Sequence, residues 1–156
     1  MQRTKKTGSP LCSLPVPADY EEFELTINGD KVDPLMMVRQ DGYSNWEQWE
    51  FRGPRVYGIQ TRRFKLVRPG HCRDLAGVRR KAGKLTDGQW REAFRQKYPR
   101  PDGRDSIGFA GSEWVDSNGF FNFPYLCGGS VWWCSDFHWA PTGFHEGWRW
   151  LVEMGK

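Results

Sequence analysis

Over residues 22–28 the chain alternates. Phe23, Leu25 and Ile27 are apolar, and Glu22, Glu24, Thr26 and Asn28 are polar. That two-residue period is the mark of a strand with one buried face. Asn28-Gly29 is the dipeptide best suited to a two-residue hairpin turn, so a returning strand is expected through Val32. Pro34 interrupts it, and residues 35–39 read as a separate short strand at an edge. Asp41-Gly42 marks a turn, residues 43–51 fit either a strand or one helical turn, and Gly53-Pro54 breaks the pattern. Residues 55–60 and 63–67 supply further strand pieces, so the first 68 residues read as an antiparallel meander. Residues 1–18, with Pro10, Pro15 and Pro17, read as a loose arm ahead of a single domain over 19–156.

The period then changes. Asp74 is placed to cap a helix running to about Ala82, with Leu75, Val78 and Ala82 on one face and Gly83 as its stop. Thr86 with Gln89 three residues on resembles a capping box opening a second helix, whose apolar face is Trp90, Ala93, Phe94 and Tyr98. Pro99 ends it. Beyond a polar loop at 99–106 the strand period returns. Over residues 131–139, Val131, Trp133, Ser135, Phe137 and Trp139 share one face, and Trp132, Cys134, Asp136 and His138 the other. Over 148–154, Trp148, Trp150, Val152 and Met154 fall together, although a helix from Thr142 also fits the spacing. The fold class is α+β: an antiparallel sheet with two central helices and aromatic-rich C-terminal strands.

Charge changes the picture more than composition does. Residues 62–100 hold 13 Lys/Arg against 3 Asp/Glu, a net +10, while the remaining 10 against 16 give −6. Such a block draws acidic or phosphate-bearing partners more readily than a mixed face would. The helices expected there carry Arg79, Arg80, Lys81, Arg91, Arg95 and Lys97 opposite their apolar faces. Five of the nine tryptophans lie between Trp132 and Trp150. Trp90 and Trp150 fit a core. Trp132 and Trp133 point to opposite faces of one strand, so at least one is expected outside the main core, where a ring beside arginines serves base stacking or a protein hot spot.

The candidate chemistry is sparse. Cys127, Cys134, His138 and His145 are zinc-type ligands, but their spacing, C-x6-C-x3-H-x6-H, lacks the short knuckle of zinc modules. On a strand, positions i and i+4 stand about 13 Å apart, too far for Cys134 and His138 to share an ion. The same distance argues against a Cys134–His138 nucleophile and base, and Cys72 beside His71 has no better claim. Residues 77–86 have the wrong spacing for a phosphate-binding loop. No metal, cofactor or catalytic residue is therefore expected. The four cysteines show no paired motif and read as free, mostly buried thiols, with secretion and two disulfides as the alternative. No apolar run reaches the roughly 20 residues of a membrane span, and no apolar stretch follows the basic N-terminus. The expected location is cytoplasmic. The oligomeric state is not legible.

Gly111-Ser112-Glu113-Trp114-Val115-Asp116, Phe123-Pro124-Tyr125 and Trp148-Arg149-Trp150-Leu151-Val152-Glu153 together resemble small accessory proteins of tailed phages and prophages, over about the C-terminal half. That resemblance implies a bacterial host cell and a role in binding and inhibiting a host protein, defence systems included. Ser117-Asn118-Gly119-Phe120-Phe121 with Gly129-Ser130-Val131-Trp132-Trp133 is fainter, and resembles the closing strands of C-type-lectin-like domains. The resulting expectation is a non-enzymatic protein that binds an acidic or nucleic-acid-binding host factor. Its contacts would be Arg79, Arg80, Lys81, Arg91, Arg95, Trp132 and Trp133. A single-stranded nucleic-acid binder and a small Cys/His enzyme are the alternatives.

Overall fold

The computed structural model describes residues 14–129 and 131–155. Eight strands form one sheet. The first, β1 (Phe23–Asn28), lies antiparallel to β3 (Ile59–Val67), with Phe23 opposite Phe64 and Asn28 opposite Ile59. β3 also pairs with β8 (Arg149–Glu153), and β8 runs parallel to β4 (Ile107–Gly108). That one parallel pair makes the sheet mixed rather than purely antiparallel. The long strand β6 (Phe121–Gly128) is its hub. β4 and β5 (Glu113–Val115) pair with opposite ends of β6, and β7 (Trp133–Trp139) follows it along its other edge. β2 (Glu50–Gly53) closes the far side against β5.

Both faces of the sheet are covered. On one, α3 (Trp90–Lys97) sets Trp90, Ala93 and Phe94 against Leu25, Phe64, Leu66, Ile107, Leu126 and Leu151. On the other, α2 (Leu75–Ala82) and the 140–148 segment enclose Val67, Phe123, Phe144, Trp148, Trp150 and Val152. A third cluster joins α1 (Pro34–Gln40) to Trp49, Trp114 and Phe137. The alternation of β8 is thus two-sided: Trp150 and Val152 face α2, and Leu151 faces α3. Residues 149–153 are a strand, not the helical alternative. Trp90 and Trp150 are in the core as expected, 1% and 0% exposed. No helix among the described residues is long and apolar enough to cross a membrane.

Several local expectations are overturned. Asn28-Gly29 makes no hairpin. The Asn28 side chain accepts from the Asp30 amide and opens a short 3₁₀ turn, Gly29–Lys31. Asp33 then caps α1 through the amides of Leu35 and Met36, with Pro34 in the first turn. A capping aspartate followed by proline is a strong helix start, and it outweighs the strand reading of residues 35–39. Gly29 is needed for closeness instead: a Cβ there would sit 2.3 Å from the Val56 carbonyl oxygen. The meander also fails, since β1 takes β3 as its partner and β2 lies across the sheet on β5. The capping box at Thr86 does not form. Thr86 is buried, with its amide on the Leu151 carbonyl, and α3 starts at Trp90 without a side-chain cap. The Gln89 amide group instead ties together Val32 and Val56, by 2.6 Å and 2.5 Å bonds.

Most of the expected N-terminal arm, residues 1–13, lies outside the described residues, as does Cys12. Of the rest, Pro17 is buried and Val16 packs against the first cluster.

Candidate binding surface

α2 is a helix for the reasons its sequence suggests. The Asp74 carboxylate accepts from the Gly77 amide at 2.8 Å, Val78 is fully buried, and Leu75 and Ala82 pack beside it. Gly83 takes φ +106°, where a side chain would be strained, and the helix stops. With one side fixed to the sheet, Arg79, Arg80 and Lys81 fan over the exposed side, and Arg73 is exposed just ahead of the helix. Lys81 reaches back to the His71 carbonyl at 3.2 Å.

Ion pairing decides what this cationic ridge amounts to. Six of the thirteen cations in residues 62–100 are paired: Arg62 and Lys84 with Glu153, Arg63 with Glu22, Arg68 with Asp19, Arg91 with Asp41 and Glu92, and Arg95 with Glu92. All but one of these acids come from outside the block. Much of the segregation seen along the chain is therefore cancelled by folding. Arg73, Arg79, Arg80 and Lys81 belong to no ion pair among the described residues, and they stand together.

Beside them lies a cavity of about 260 Å³, bounded by Asp74, Leu75 and Arg79 on one side and Glu113, Phe121 and Pro141 on the other. Phe120, Phe121 and Trp139 are exposed at this end of the β6–β7 hairpin, at 45%, 39% and 51%. The Phe120 and Trp139 rings lie 5.2 Å apart, and the Arg52 guanidinium sits 5.6 Å from the Phe121 ring. None of these three aromatics was among the expected contacts. The strand period of 131–139 put Trp139 on a face but not at an open end, and Phe120 and Phe121 had no such signal.

Two expected contacts belong to the interior. Arg91 is 1% exposed, not on an outer stripe. It grips Asp41 with two bonds of 2.7 Å and 3.0 Å, bonds Glu92 at 2.8 Å and the Asp136 carbonyl at 3.1 Å, and lies 5.4 Å from the Phe137 ring. The acid that draws it inward is 50 residues away in the chain, beyond the reach of helical spacing. Arg95 is half-buried and donates to the Ser135 hydroxyl at 2.9 Å, so this side of α3 faces β7. Trp133 is the second correction. It is 9% exposed, and its indole N–H donates to the Tyr98 carbonyl at 2.6 Å. Trp132 is 70% exposed, next to Val131 at 50%. It sits at the turn of the hairpin, about 20 Å by strand rise from Trp139. Of the expected contacts, Arg79 is thus brought to one cavity with Phe121, and Trp132 is set apart at the hairpin turn.

The Cys/His set is dispersed along one strand face and the loop after it. Cys127 lies opposite Cys134. The His138 ring stacks on Phe123 at 5.6 Å, and its Nδ1 is 2.8 Å from the Trp139 carbonyl. His145 is turned to its own backbone, its Nδ1 accepting from the Gly147 amide at 3.0 Å. Among the described residues no group of three or more His, Cys, Asp or Glu is placed to hold a metal ion. Burial first, then Cys127 and Asp136, pushes the Cys134 thiol above its ordinary value, the reverse of what an activated nucleophile needs. Cys72 is buried while His71 is exposed.

No protein-family model matches the chain, and neither a curated protein nor a solved structure shows significant similarity to it.

Proposed function

We propose that this is a non-enzymatic binding protein of the phage accessory type, which inhibits a host factor by occupying an acidic surface or a site that normally receives nucleic acid. The observation that carries this reading is the group of four exposed cations, Arg73, Arg79, Arg80 and Lys81, left without acidic partners among the described residues while Arg62, Arg63, Arg68 and Lys84 are neutralised. Unpaired like charges repel one another, and a partner of opposite charge relieves that cost. Phe120, Phe121 and Trp139 add the rigid apolar area that anchors an interface. The chemistry therefore acts in two parts: the arginines attract and orient, and the rings exclude water once contact is made.

The test is capture from a bacterial lysate, with and without nuclease, using the parent chain and a variant carrying Arg79→Glu, Arg80→Glu and Lys81→Glu. A protein retained by the parent after nuclease, and lost by the variant, is the expected result. Capture that vanishes with nuclease favours the second reading, a single-stranded nucleic-acid binder. That reading draws support from exposed rings beside arginines, the pairing used to stack bases while holding phosphates. Equal capture by parent and variant would remove α2 from the function altogether.

A further inference from the structure

The hairpin β6–β7 carries a feature that the binding surface does not use. In its register Cys127 is directly opposite Cys134, one pair from the Gly128–Trp133 closure. The same face holds Tyr125 opposite Asp136 and Phe123 opposite His138. Side chains on this face meet across the strands: the Phe123 and His138 rings are stacked, and Tyr125 meets His138 edge-on at 5.6 Å. Directly opposed residues of an antiparallel pair hold their Cβ atoms about 4.5–5.5 Å apart. A disulfide needs about 3.5–4.5 Å, so closure asks for a movement of roughly 1 Å. The site is also open. Cys134 is exposed, Cys127 is half-buried, and β7 has no partner on its outer edge among the described residues. Cys72, by contrast, is closed off in the core beneath α2.

We infer that Cys127 and Cys134 form a cross-strand dithiol that is a site of covalent modification, closing to an intramolecular disulfide by exchange with a low-molecular-weight disulfide. The Cys134 thiolate, the more exposed of the two, attacks one sulfur of glutathione disulfide. Its S–S bond breaks, a mixed disulfide forms on Cys134, and one glutathione thiolate leaves. The Cys127 thiolate then attacks the Cys134 sulfur, the Cys127–Cys134 bond forms, and the second glutathione thiolate leaves. The two cysteines are oxidised by two electrons, glutathione disulfide is reduced by the same two, and the two thiol protons pass to the two glutathiones. Burial and the neighbouring Cys127 and Asp136 hold the Cys134 thiol above its ordinary value, so exchange quickens as the solution is made alkaline. The bond staples β6 to β7 in the hairpin that carries Trp132 at one end and Trp139 at the other.

The experiment is incubation of the folded chain with glutathione disulfide, followed by acid quench, alkylation of remaining thiols and peptide mapping, with circular dichroism on the same sample. A linked Cys127–Cys134 peptide is expected, with Cys72 still alkylated. The melting temperature should rise by roughly 5–10 °C, as expected for closing so short a loop in a chain of this size. Cys127→Ser should instead stop at the mixed disulfide on Cys134. In the parent chain, a mixed disulfide that persists on Cys134, two free thiols at 127 and 134, or a linkage to Cys12 or Cys72 would each overturn the proposal.

Discussion

Arg91 and Arg80 lie on two short basic helices and answer the same substitution differently. Arg91 is desolvated and held by Asp41, and burial already pushes the Asp41 carboxyl up despite the guanidinium beside it. Removing one partner of a buried pair leaves an uncompensated charge. Arg91→Met should therefore lose about 3–5 kcal/mol in urea denaturation, with Arg91→Met plus Asp41→Leu recovering much of it. Arg80→Glu, exposed and unpaired, should change stability by under about 1 kcal/mol. Asp87 gives a pH dependence of definite sign. Burial first, and Glu153 second, push its carboxyl from 3.8 to about 6. Between those values the folded chain holds a proton that the unfolded chain releases. Asp87 thus favours folding most below the lower value, and its contribution is lost as pH rises through about 6. Allowing for its partial exposure, Asp87→Asn should flatten this slope and stabilise the protein at pH 7 by about 1 kcal/mol. A thermal-melt series from pH 4 to pH 7 measures it, and an unchanged slope would show that Asp87 is not the group responsible.

At the scale of elements, α2 rests on its cap. With only eight residues, the helix gains little from propensity, and the Asp74 bond to the Gly77 amide satisfies one of its four free N–H groups. Asp74→Ala should cost about 1 kcal/mol in denaturant titration and Asp74→Ser much less; equal losses would point to a role other than capping. This helix was legible because all that makes it is local: the capping aspartate, Leu75, Val78 and Ala82 on one face, and a terminal glycine. β1, β7 and β8 were legible for the same reason, each having a clear two-residue period. What was not legible depends on groups far along the chain. Asn28-Gly29 is a good hairpin dipeptide, yet the partner waiting for β1 is residues 59–64, and Asp33-Pro34 starts a helix first. Gln89 looked like a capping residue because its true partners, the backbone at Val32 and Val56, are brought to it only by the fold. For the candidate surface, periodicity found the exposed cations of α2, but exposure of Phe120, Phe121 and Trp139 follows from where the sheet ends. Arg91 and Trp133 were misplaced because burial was judged from one element at a time.

For the whole molecule, the chain's charge separation is larger than the folded surface's. Glu22, Asp19, Asp41 and Glu153 come from outside the basic block and neutralise five of its cations, so net charge along the sequence overstates what a partner meets. Of the seven cations of the block outside these pairs among the described residues, four stand at α2, the largest group, which makes their contribution separable from that of the rings. Long-range attraction acts before contact, and so governs the association rate and weakens with salt. Ring burial acts after contact, and so governs dissociation. With the captured partner in hand, Arg79→Glu, Arg80→Glu and Lys81→Glu together should slow association about tenfold or more at low salt and leave dissociation nearly unchanged. Raising salt from 50 to 200 mM should shrink the difference between parent and variant. Trp139→Ala should leave association nearly intact and speed dissociation about tenfold, since an exposed ring that becomes fully desolvated is the usual anchor of an interface. Trp132→Ala, at the far end of the hairpin, should do neither. Surface-binding kinetics at two salt concentrations measure all three. If Trp132→Ala speeds dissociation and Trp139→Ala does not, the partner sits at the hairpin turn, and the cations of α2 steer it without touching it.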